Sequence, residues 1–206
     1  MKPSKIRIIG ITGGVGSGKT DVLSYIKEKY NCEVIFADEV AHKVREPGQG
    51  CYEELIVLLG EEVLTEDGQI DRSRMAEKIF ADKELLKQVN KIIHPAVKRY
   101  ILAKIEQEKK DQKIDFLFIE AALLIEDGYV DIVDELWYIF ASEQVRRERL
   151  KQTRSYSDEK IDGILGKQLS EEEYKKYCKV LIDNSGDRQN TYEQIDRKLE
   201  EYLWQK

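Results

Sequence analysis

The 206-residue sequence predicts an α/β fold built on a five-stranded parallel sheet, and three observations support this prediction. Five short runs are rich in β-branched and aromatic residues and are bounded by polar or turn residues, as buried strands are. The runs are apolar throughout rather than alternating, which is typical of strands covered by helices on both faces. Stretches with helical periodicity separate the runs at lengths that suit right-handed β-α-β crossovers.

The strands and the helices between them can be placed in order along the chain. We expect strands at Ile6–Ile11, Glu33–Phe36, Phe116–Ile119, Glu135–Phe140 and Val180–Asp183. Residues 19–30 carry apolar side chains on one helical stripe and predict a helix after the first strand. Three capping signals start later helices, the first of which runs through Arg154. The capping residues are Ser142, Ser170 with Glu173, and Asn190 with Glu193.

One long interval does not suit a simple crossover, and a second helical stretch, Glu143–Tyr177, is rich in charge and could be a lid. About 80 residues separate the second and third strands, and turn signals such as Asp67-Gly68 and His94-Pro95 divide them into several helices. The predicted helices are Asp38–Arg45, Cys51–Leu59, Ser73–Phe80, Lys83–Lys91 and Pro95–Lys109. We therefore expect one domain with a core of about 1–45, 112–142 and 179–206, a helical substrate-binding insertion of about 46–111, and a lid of about 143–178.

Composition excludes several classes of protein. Lys and Arg number 34 against 40 Asp and Glu, so a net charge of −6 argues against a broad electrostatic grip on nucleic acid or an anionic membrane. The three cysteines form no CxxC pair, which fits a reduced compartment and leaves no thiol zinc site. The sequence shows no membrane span, no leader and no obligate protein partner, and we expect a cytoplasmic protein.

The run from Gly13 to Thr20 reads GGVGSGKT and satisfies the phosphate-loop pattern GxxxxGK[ST] between a predicted strand and a predicted helix. Glycine permits the backbone path that points successive N–H groups at phosphate oxygens, and the helix start adds its positive dipole end. Lys19 can reach the β- and γ-phosphates, and the Thr20 hydroxyl is a suitable ligand for Mg²⁺. We expect nucleotide at Gly14, Val15, Gly16, Ser17, Gly18, Lys19, Thr20 and Asp21.

The phosphate loop predicts a nucleotide and magnesium but leaves the reaction open. A regulatory GTPase would need an NKxD sequence to recognise guanine, and Asn90-Lys91 is followed by Ile92-Ile93. A GTPase switch is therefore disfavoured. A kinase, or a nucleotide-dependent binding protein without an acceptor, remains open at this point.

Two kinds of acidic residue follow predicted strands. Asp38 follows the second strand, at the carboxyl edge of the sheet, where it could accept the proton of an acceptor hydroxyl. It could equally be the N-cap of the helix that follows. Glu120 and Glu126 follow the third strand and could hold magnesium through water, or could be polar residues that close the strand.

Four arginines crowd into nine residues after the fourth strand. Arginine can neutralise the charge that develops on a transferring phosphoryl group. Arg146, Arg147, Arg149 and Arg154 could also form a solvated helix face with Glu143 and Glu148, which is the better interpretation for at least two of them. His94, before Pro95, is more typical of a turn or helix start than of a catalyst.

Further short motifs follow the phosphate loop in order. They are Ala37-Asp38 with Ala41, Glu46-Pro47-Gly48, Gly68 with Ile70-Asp71-Arg72, Ile79-Phe80, His94-Pro95, Leu123-Leu124 with Glu126, and Ile182-Asp183-Asn184-Ser185-Gly186. Together with the phosphate loop, this ordered set resembles the dephospho-CoA kinase family over nearly the whole chain. The arginines after the fourth strand are spaced differently from the common pattern of that family.

The resemblance implies a nucleoside-monophosphate-kinase-like P-loop fold and a specific reaction. Members transfer the γ-phosphate of ATP, with Mg²⁺, to the ribose 3′-hydroxyl of dephospho-CoA, giving coenzyme A and ADP. By position, Asp38 matches the general base of the family, while Arg72 and His94 are implied at the acceptor. An arginine from Arg147, Arg149 or Arg154 is implied to reach the phosphates from the lid. The alternative is another small P-loop kinase of a nucleoside, nucleotide or sugar.

Overall fold

The computed structural model describes residues 6–121 and 123–204, and its five strands form one parallel sheet in the order β2-β3-β1-β4-β5. The prediction of an α/β fold on a five-stranded parallel sheet is therefore confirmed. The outer ends of the predicted core, residues 1–5 and 205–206, lie outside the described residues. The strands are β1 Arg7–Thr12, β2 Cys32–Phe36, β3 Phe116–Glu120, β4 Glu135–Phe140 and β5 Val180–Asp183.

Helices follow the strands and also fill the two long intervals. They are α1 Lys19–Lys29, α2 Ala37–Lys43, α3 Tyr52–Leu59, α4 Arg72–Ala81, α5 Lys83–Asp111, α6 Glu143–Arg154, α7 Asp158–Leu165, α8 Glu171–Tyr177 and α9 Arg188–Trp204. Two short 3₁₀ turns lie at Glu61–Val63 and Tyr129–Asp131. Ser142 caps α6 through Val145 N, and Ser170 with Glu173 forms a complete capping box at α8, as predicted.

Burial along the strands explains why their positions were predictable. Residues 8–12 of β1, 116–119 of β3 and 135–139 of β4 are all buried, as expected of central strands with both faces covered. The edge strand β5 instead alternates, because Val180 and Ile182 are buried while Leu181 and Asp183 are exposed. The prediction of a strand apolar on both faces was therefore wrong for β5, which has a neighbour on one side only.

Two predicted helix boundaries were also wrong. A single helix, α5, runs through Pro95, because the prolyl ring lies on an exposed face while one buried stripe continues past it. That stripe comprises Val89, Ala96, Val97, Ile101 and Ile105. Helix α9 begins at Arg188 rather than at Asn190, because the Asp187 carboxylate accepts a hydrogen bond from Gln189 N at 3.3 Å.

The chain divides into two compact units. Unit 1 comprises the described residues within Met1–Val34 and Glu108–Lys206, and unit 2 comprises Ile35–Gln107. Unit 1 contains the phosphate loop and most of the sheet, and unit 2 contains the helices α2 to α4 and most of α5. Among the described residues, no helix is long and apolar enough to cross a membrane.

Candidate active site

The phosphate loop of unit 1 joins β1 to α1 and depends on glycine at two positions in particular. Gly16 has φ 84° and Gly18 has φ 87°, and both values lie in the region that side-chain-bearing residues rarely adopt. Space is also short, because a Cβ on Gly18 would lie 2.3 Å from Asn184 Nδ2. The glycines are therefore required by the backbone path and by the close approach of neighbouring side chains.

The start of α1 offers hydrogen-bond donors without a side-chain cap. Its N-cap residue, Gly18, has no side chain that could accept from the first helical N–H groups, and those groups have no acceptor inside the helix. The Ser17 hydroxyl is buried, and no described residue forms a hydrogen bond with it. A helix N-terminus without a side-chain cap is suited to binding a phosphate anion.

Lys19 is folded back over the loop that it follows. Its Nζ donates to Gly13 O at 2.8 Å and lies 3.7 Å from Glu120 Oε1 at the end of β3. The ammonium group therefore lies beside the first residues of the loop, and a half-buried carboxylate balances its charge. Glu120, which sequence analysis left between two roles, is thus a partner of Lys19 in this structure.

Residues after β4 and β5 hold the outer side of the loop. Asn184 Nδ2 donates to Ser17 O at 2.7 Å, and the buried Asn184 side chain in turn accepts from Thr191 Oγ1 at 3.0 Å. Arg149 donates to Gly16 O, Ser17 O and Asn184 O at 3.4, 3.2 and 2.8 Å. These bonds engage loop carbonyls from outside, so Asn184 and Arg149 are positioned to stabilise the loop conformation.

The structure also brings Arg146 and Gln168 to the loop; sequence analysis left Arg146 between two roles and did not indicate Gln168. Arg146 Nε donates to Val15 O at 2.9 Å, and its Nη2 donates to the side-chain oxygen of Gln168. That oxygen also accepts from Val15 N at 3.3 Å. The arginine crowding after β4 was the only sequence signal for this contact, and nothing in the sequence indicated Gln168.

The two remaining arginines of this stretch lie elsewhere. Arg147 forms ion pairs with carboxylates on α6 and α7, at 2.8 Å to Glu143 and 2.5 Å to Asp162, with Asp158 at 3.9 Å. Arg154 is the last residue of α6 and is exposed. The interpretation as a solvated, ion-paired face therefore describes Arg147 in this structure.

Magnesium would need oxygen ligands beyond those of the protein. The described residues contain no cluster of three or more His, Cys, Asp or Glu side chains that could hold a metal ion. Thr20 and Asp21 are exposed in the first turn of α1, while Glu126 is exposed in the turn after β3. Mg²⁺ usually binds few protein groups together with phosphate oxygens and water, and a hydroxyl at Thr20 fits that mode.

Unit 2 places Asp38 in the first turn of α2. The helix begins at Ala37 with Phe36 as its N-cap residue, and no side chain caps it. The alternative interpretation of Asp38 as the N-cap was therefore wrong, because the helix begins one residue before it. Asp38 is exposed, so its carboxylate is available to a ligand.

Basic side chains surround His42 on the next turn of α2. Arg45 Nη2 lies against His42 Nδ1, and since a guanidinium can only donate, this contact favours an Nδ1 atom without a proton. Burial and the charges of Arg45 and Arg72 lower the pKa of His42, while Asp38 acts in the opposite direction. Burial, followed by the charge of Arg72, also lowers the pKa of Arg45. This basic cluster, defined as His42, Arg45 and Arg72, is suited to an anionic ligand.

Local structure fixes Arg72 at the start of α4. Asp71 caps this helix by accepting from Ser73 N and Arg74 N at 2.8 and 3.0 Å, and these bonds lower the pKa of its carboxyl group. Arg72 is the first residue of the helix and is exposed. His94 lies within α5 and is half-buried. Sequence analysis singled out Arg72 but not Arg45, which extends the basic charge around His42.

Comparison with known proteins gives a consistent result. The family model described as dephospho-CoA kinase matches residues 7–190. The dephospho-CoA kinase of Carboxydothermus hydrogenoformans is 36% identical over 197 residues, covering 96% of this chain and 95% of its own. That of Dehalococcoides mccartyi is 36% identical over 180 residues, covering 87% and 89%.

Solved structures show the same fold. The protein TT1252 of Thermus thermophilus superposes with a TM-score of 0.77 at 27% identity, covering 96% of this chain and 98% of its own. Dephospho-CoA kinase from Campylobacter jejuni gives a TM-score of 0.71 at 22% identity, covering 94% and 96%. Shikimate kinase from Acinetobacter baumannii gives 0.51 at 10% identity, covering 95% and 94%, and this likeness concerns the fold alone.

Proposed function

Because this chain belongs to the dephospho-CoA kinase family, we propose that it transfers the terminal phosphoryl group of ATP to the 3′-hydroxyl of the ribose of dephospho-CoA. The observation that carries this proposal is the stabilised phosphate loop, with no side-chain cap at the start of α1 and Lys19 folded over its first residues. Family membership supplies the acceptor, and the loop supplies the donor site.

The loop would hold the triphosphate through its main chain. The stretch from Gly14 to Asp21 provides N–H groups and the dipole of α1, and on ATP binding Lys19 would exchange Gly13 O for phosphate oxygens. Magnesium bound at Thr20 with the phosphates would neutralise part of their charge. Glu120 would stay near Lys19 and could meet such an ion through water.

Asp38 is proposed as the general base. The acceptor oxygen forms a bond to the γ-phosphorus, the bond from that phosphorus to the β,γ-bridging oxygen breaks, and ADP leaves. The hydroxyl proton passes to the Asp38 carboxylate. In a loose transition state the proton is lost late, so the exposed carboxylate need not be a strong base.

Unit 2 is proposed to bind the acceptor. Dephospho-CoA carries a diphosphate, and the basic cluster with Arg72 at the N-terminus of α4 offers matching positive charge. His94 is proposed to contribute from α5. The segment of about 143–178, which contains α6 to α8, is proposed as the lid.

A panel of acceptors tests the proposal directly. Purified protein with ATP and Mg²⁺ is given dephospho-CoA, nucleosides, nucleotides, shikimate or sugars, and ADP release is measured. We expect release that depends on dephospho-CoA and that falls about 10²–10⁴-fold in Asp38→Asn, because the base is lost. ATP affinity should be retained in that variant. Preference for another acceptor, or full activity of Asp38→Asn, would contradict the proposal.

A further inference from the structure

Arg146 packs closely against the phosphate loop. A Cβ on Gly14 would lie 2.4 Å from Arg146 Cζ, so the guanidinium lies directly over the glycine backbone. The main chain of α6 is also close, since a Cβ on Gly16 would lie 3.1 Å from Arg146 O. The guanidinium is therefore fixed at the loop rather than directed to solvent.

Among the described residues Arg146 forms no ion pair, and the charge of Glu143 acts on it only from a greater distance. Its guanidinium instead donates to two neutral oxygens, Val15 O and the carboxamide oxygen of Gln168. The side chain is half-buried, and burial lowers its pKa. A partly desolvated guanidinium without an anion is costly, and an anionic ligand would compensate it.

Arg149 and Arg147 have other surroundings than Arg146. Arg149 also forms no ion pair with the described residues, but its hydrogen bonds go to main-chain carbonyls of the loop and of Asn184, which indicates a stabilising role. Arg147 is compensated by the carboxylates of Glu143, Asp158 and Asp162. What distinguishes Arg146 among the arginines of α6 is that it shares one side-chain oxygen, that of Gln168, with a main-chain N–H of the loop.

The position of Lys19 indicates which end of the nucleotide Arg146 would face. A phosphate-loop lysine reaches the β- and γ-phosphates, and Lys19 Nζ lies 2.8 Å from Gly13 O at the first residues of the loop. Gly14 and Val15, which Arg146 contacts, are the next two residues. The start of α1, at the other end of the loop, is where the remaining phosphates are held.

We propose that Arg146 contacts the terminal phosphate of bound ATP, and that a phosphate oxygen replaces the Gln168 carboxamide oxygen between the guanidinium and Val15 N–H. In the present structure that single oxygen accepts from both groups, as an oxygen of the γ-phosphate would. This proposal rests on the proposed function, because it takes ATP as the donor. Arg146 would then stabilise the phosphoryl group during transfer, and Gln168 would hold the loop and the arginine ready in the absence of nucleotide.

Calorimetric titrations with ATP and ADP distinguish this role from simple stabilisation of the loop. In Arg146→Met we expect ATP to bind about tenfold or more weakly while ADP stays within about twofold, and kcat to fall about 10²–10³-fold. Arg146→Lys, which keeps the charge without the planar fork, should fall between the two. Lys151→Met is the control, since it removes a cation of α6 that pairs with Asp158 on the surface.

Equal weakening of ATP and ADP in Arg146→Met, or no change in either, would overturn the proposal. A second measurement uses the unaltered chain. In ¹H–¹⁵N spectra, the Val15 amide and the Gln168 side-chain amide should shift on adding a non-hydrolysable ATP analogue and should shift far less with ADP. The same shift with both nucleotides would also contradict it. If the unaltered protein binds no ATP, the proposed function fails; if it transfers phosphate while Arg146→Met keeps its preference for ATP, only the role of Arg146 fails.

Discussion

The phosphate loop of unit 1 and the basic cluster of unit 2 are both suited to anions, but one uses main-chain groups and the other uses side chains. The loop uses main-chain N–H groups set by glycine conformations at Gly16 and Gly18. The cluster uses side chains from two helices, with His42 and Arg45 on or just after α2 and Arg72 on α4. The first site is contiguous in sequence and the second is assembled by folding.

The two sites also differ in how charge is balanced without ligand. Lys19 at the loop is compensated by Glu120 at 3.7 Å. In unit 2, burial and the neighbouring charges of Arg45 and Arg72 lower the pKa of His42, which disfavours a further positive charge there. We infer that activity depends strongly on Lys19 at the loop. In the basic cluster several side chains contribute positive charge, so the loss of one of them should reduce activity less.

Among the substitutions that compare the two sites, replacing Lys19 should give the largest effect. In Lys19→Met the ammonium that accompanies the β- and γ-phosphates is lost, and we expect kcat to fall about 10³-fold. Steady-state kinetics with saturating ATP and dephospho-CoA checks this. A loss of less than about tenfold would mean that Lys19 does not act on the transferred group. It would also contradict the inference that activity depends more on one cation at the loop than on one cation of the cluster.

Replacing Arg72 should give a smaller and more selective effect. In Arg72→Gln we expect KM for dephospho-CoA to rise about 10–100-fold with little change in KM for ATP, because one charged hydrogen-bond donor is lost from the acceptor site. Initial rates with each substrate varied in turn provide the test. Ser73→Ala, which changes the exposed neighbouring side chain, is the control. An equal rise for both substrates would contradict the assignment of the cluster to the acceptor.

Removal of Asn184 should affect stability rather than one substrate. In Asn184→Ala the carbonyl of Ser17 and the hydroxyl of Thr191 lose a buried partner, so we expect the free energy of unfolding to fall by about 1–3 kcal/mol. Urea denaturation measures it. Asn190→Ala, at an exposed position, should stay within about 0.5 kcal/mol of the unaltered protein. Equal stability of the two variants would show that the loop does not depend on Asn184.

The smallest effect concerns protonation in unit 2. The pKa of His42 in the folded protein lies below its ordinary value of 6.5. Just below pH 6.5 the unfolded chain therefore binds more protons than the folded protein, and the free energy of unfolding decreases as the pH falls. NMR titration of the two histidines, assigned with His94→Gln, measures the value. Arg45→Gln should raise it, because a neighbouring positive charge is removed. A pKa of 6.5 or above in the unaltered protein would contradict the described cluster.

Most of the fold could be predicted from the sequence, because the apolar runs that indicate the central strands are also the residues that the fold buries. Strands β4 and β5 have their predicted bounds, since short apolar runs end there in polar residues. Pro95 was misjudged because the buried stripe of α5 outweighs one missing N–H group. The start of α9 was misjudged because Asp187 supplies the cap from outside the pattern that Asn190 and Glu193 form.

The candidate site was predictable where its residues are contiguous. The run from Gly13 to Thr20 carries the loop in its own spacing, and the motif that contains Asn184 was visible without any indication of its contact. Arg146 and Gln168 meet Val15 from positions more than 100 residues away, and folding alone brings them there. Arg146 differs from Arg147 and Arg149 in its hydrogen-bond and ion-pair partners, and the spacing of the arginines in the sequence does not indicate those partners.

Identification of the product tests the central claim most directly. The purified protein is incubated with ATP, Mg²⁺ and dephospho-CoA, and the product is analysed by mass spectrometry and ³¹P NMR. We predict one new phosphomonoester on the ribose 3′-oxygen for each ADP released, and no such product with Lys19→Met over the same time. Release of ADP with free phosphate and unmodified dephospho-CoA, or phosphorylation of another position, would contradict the account.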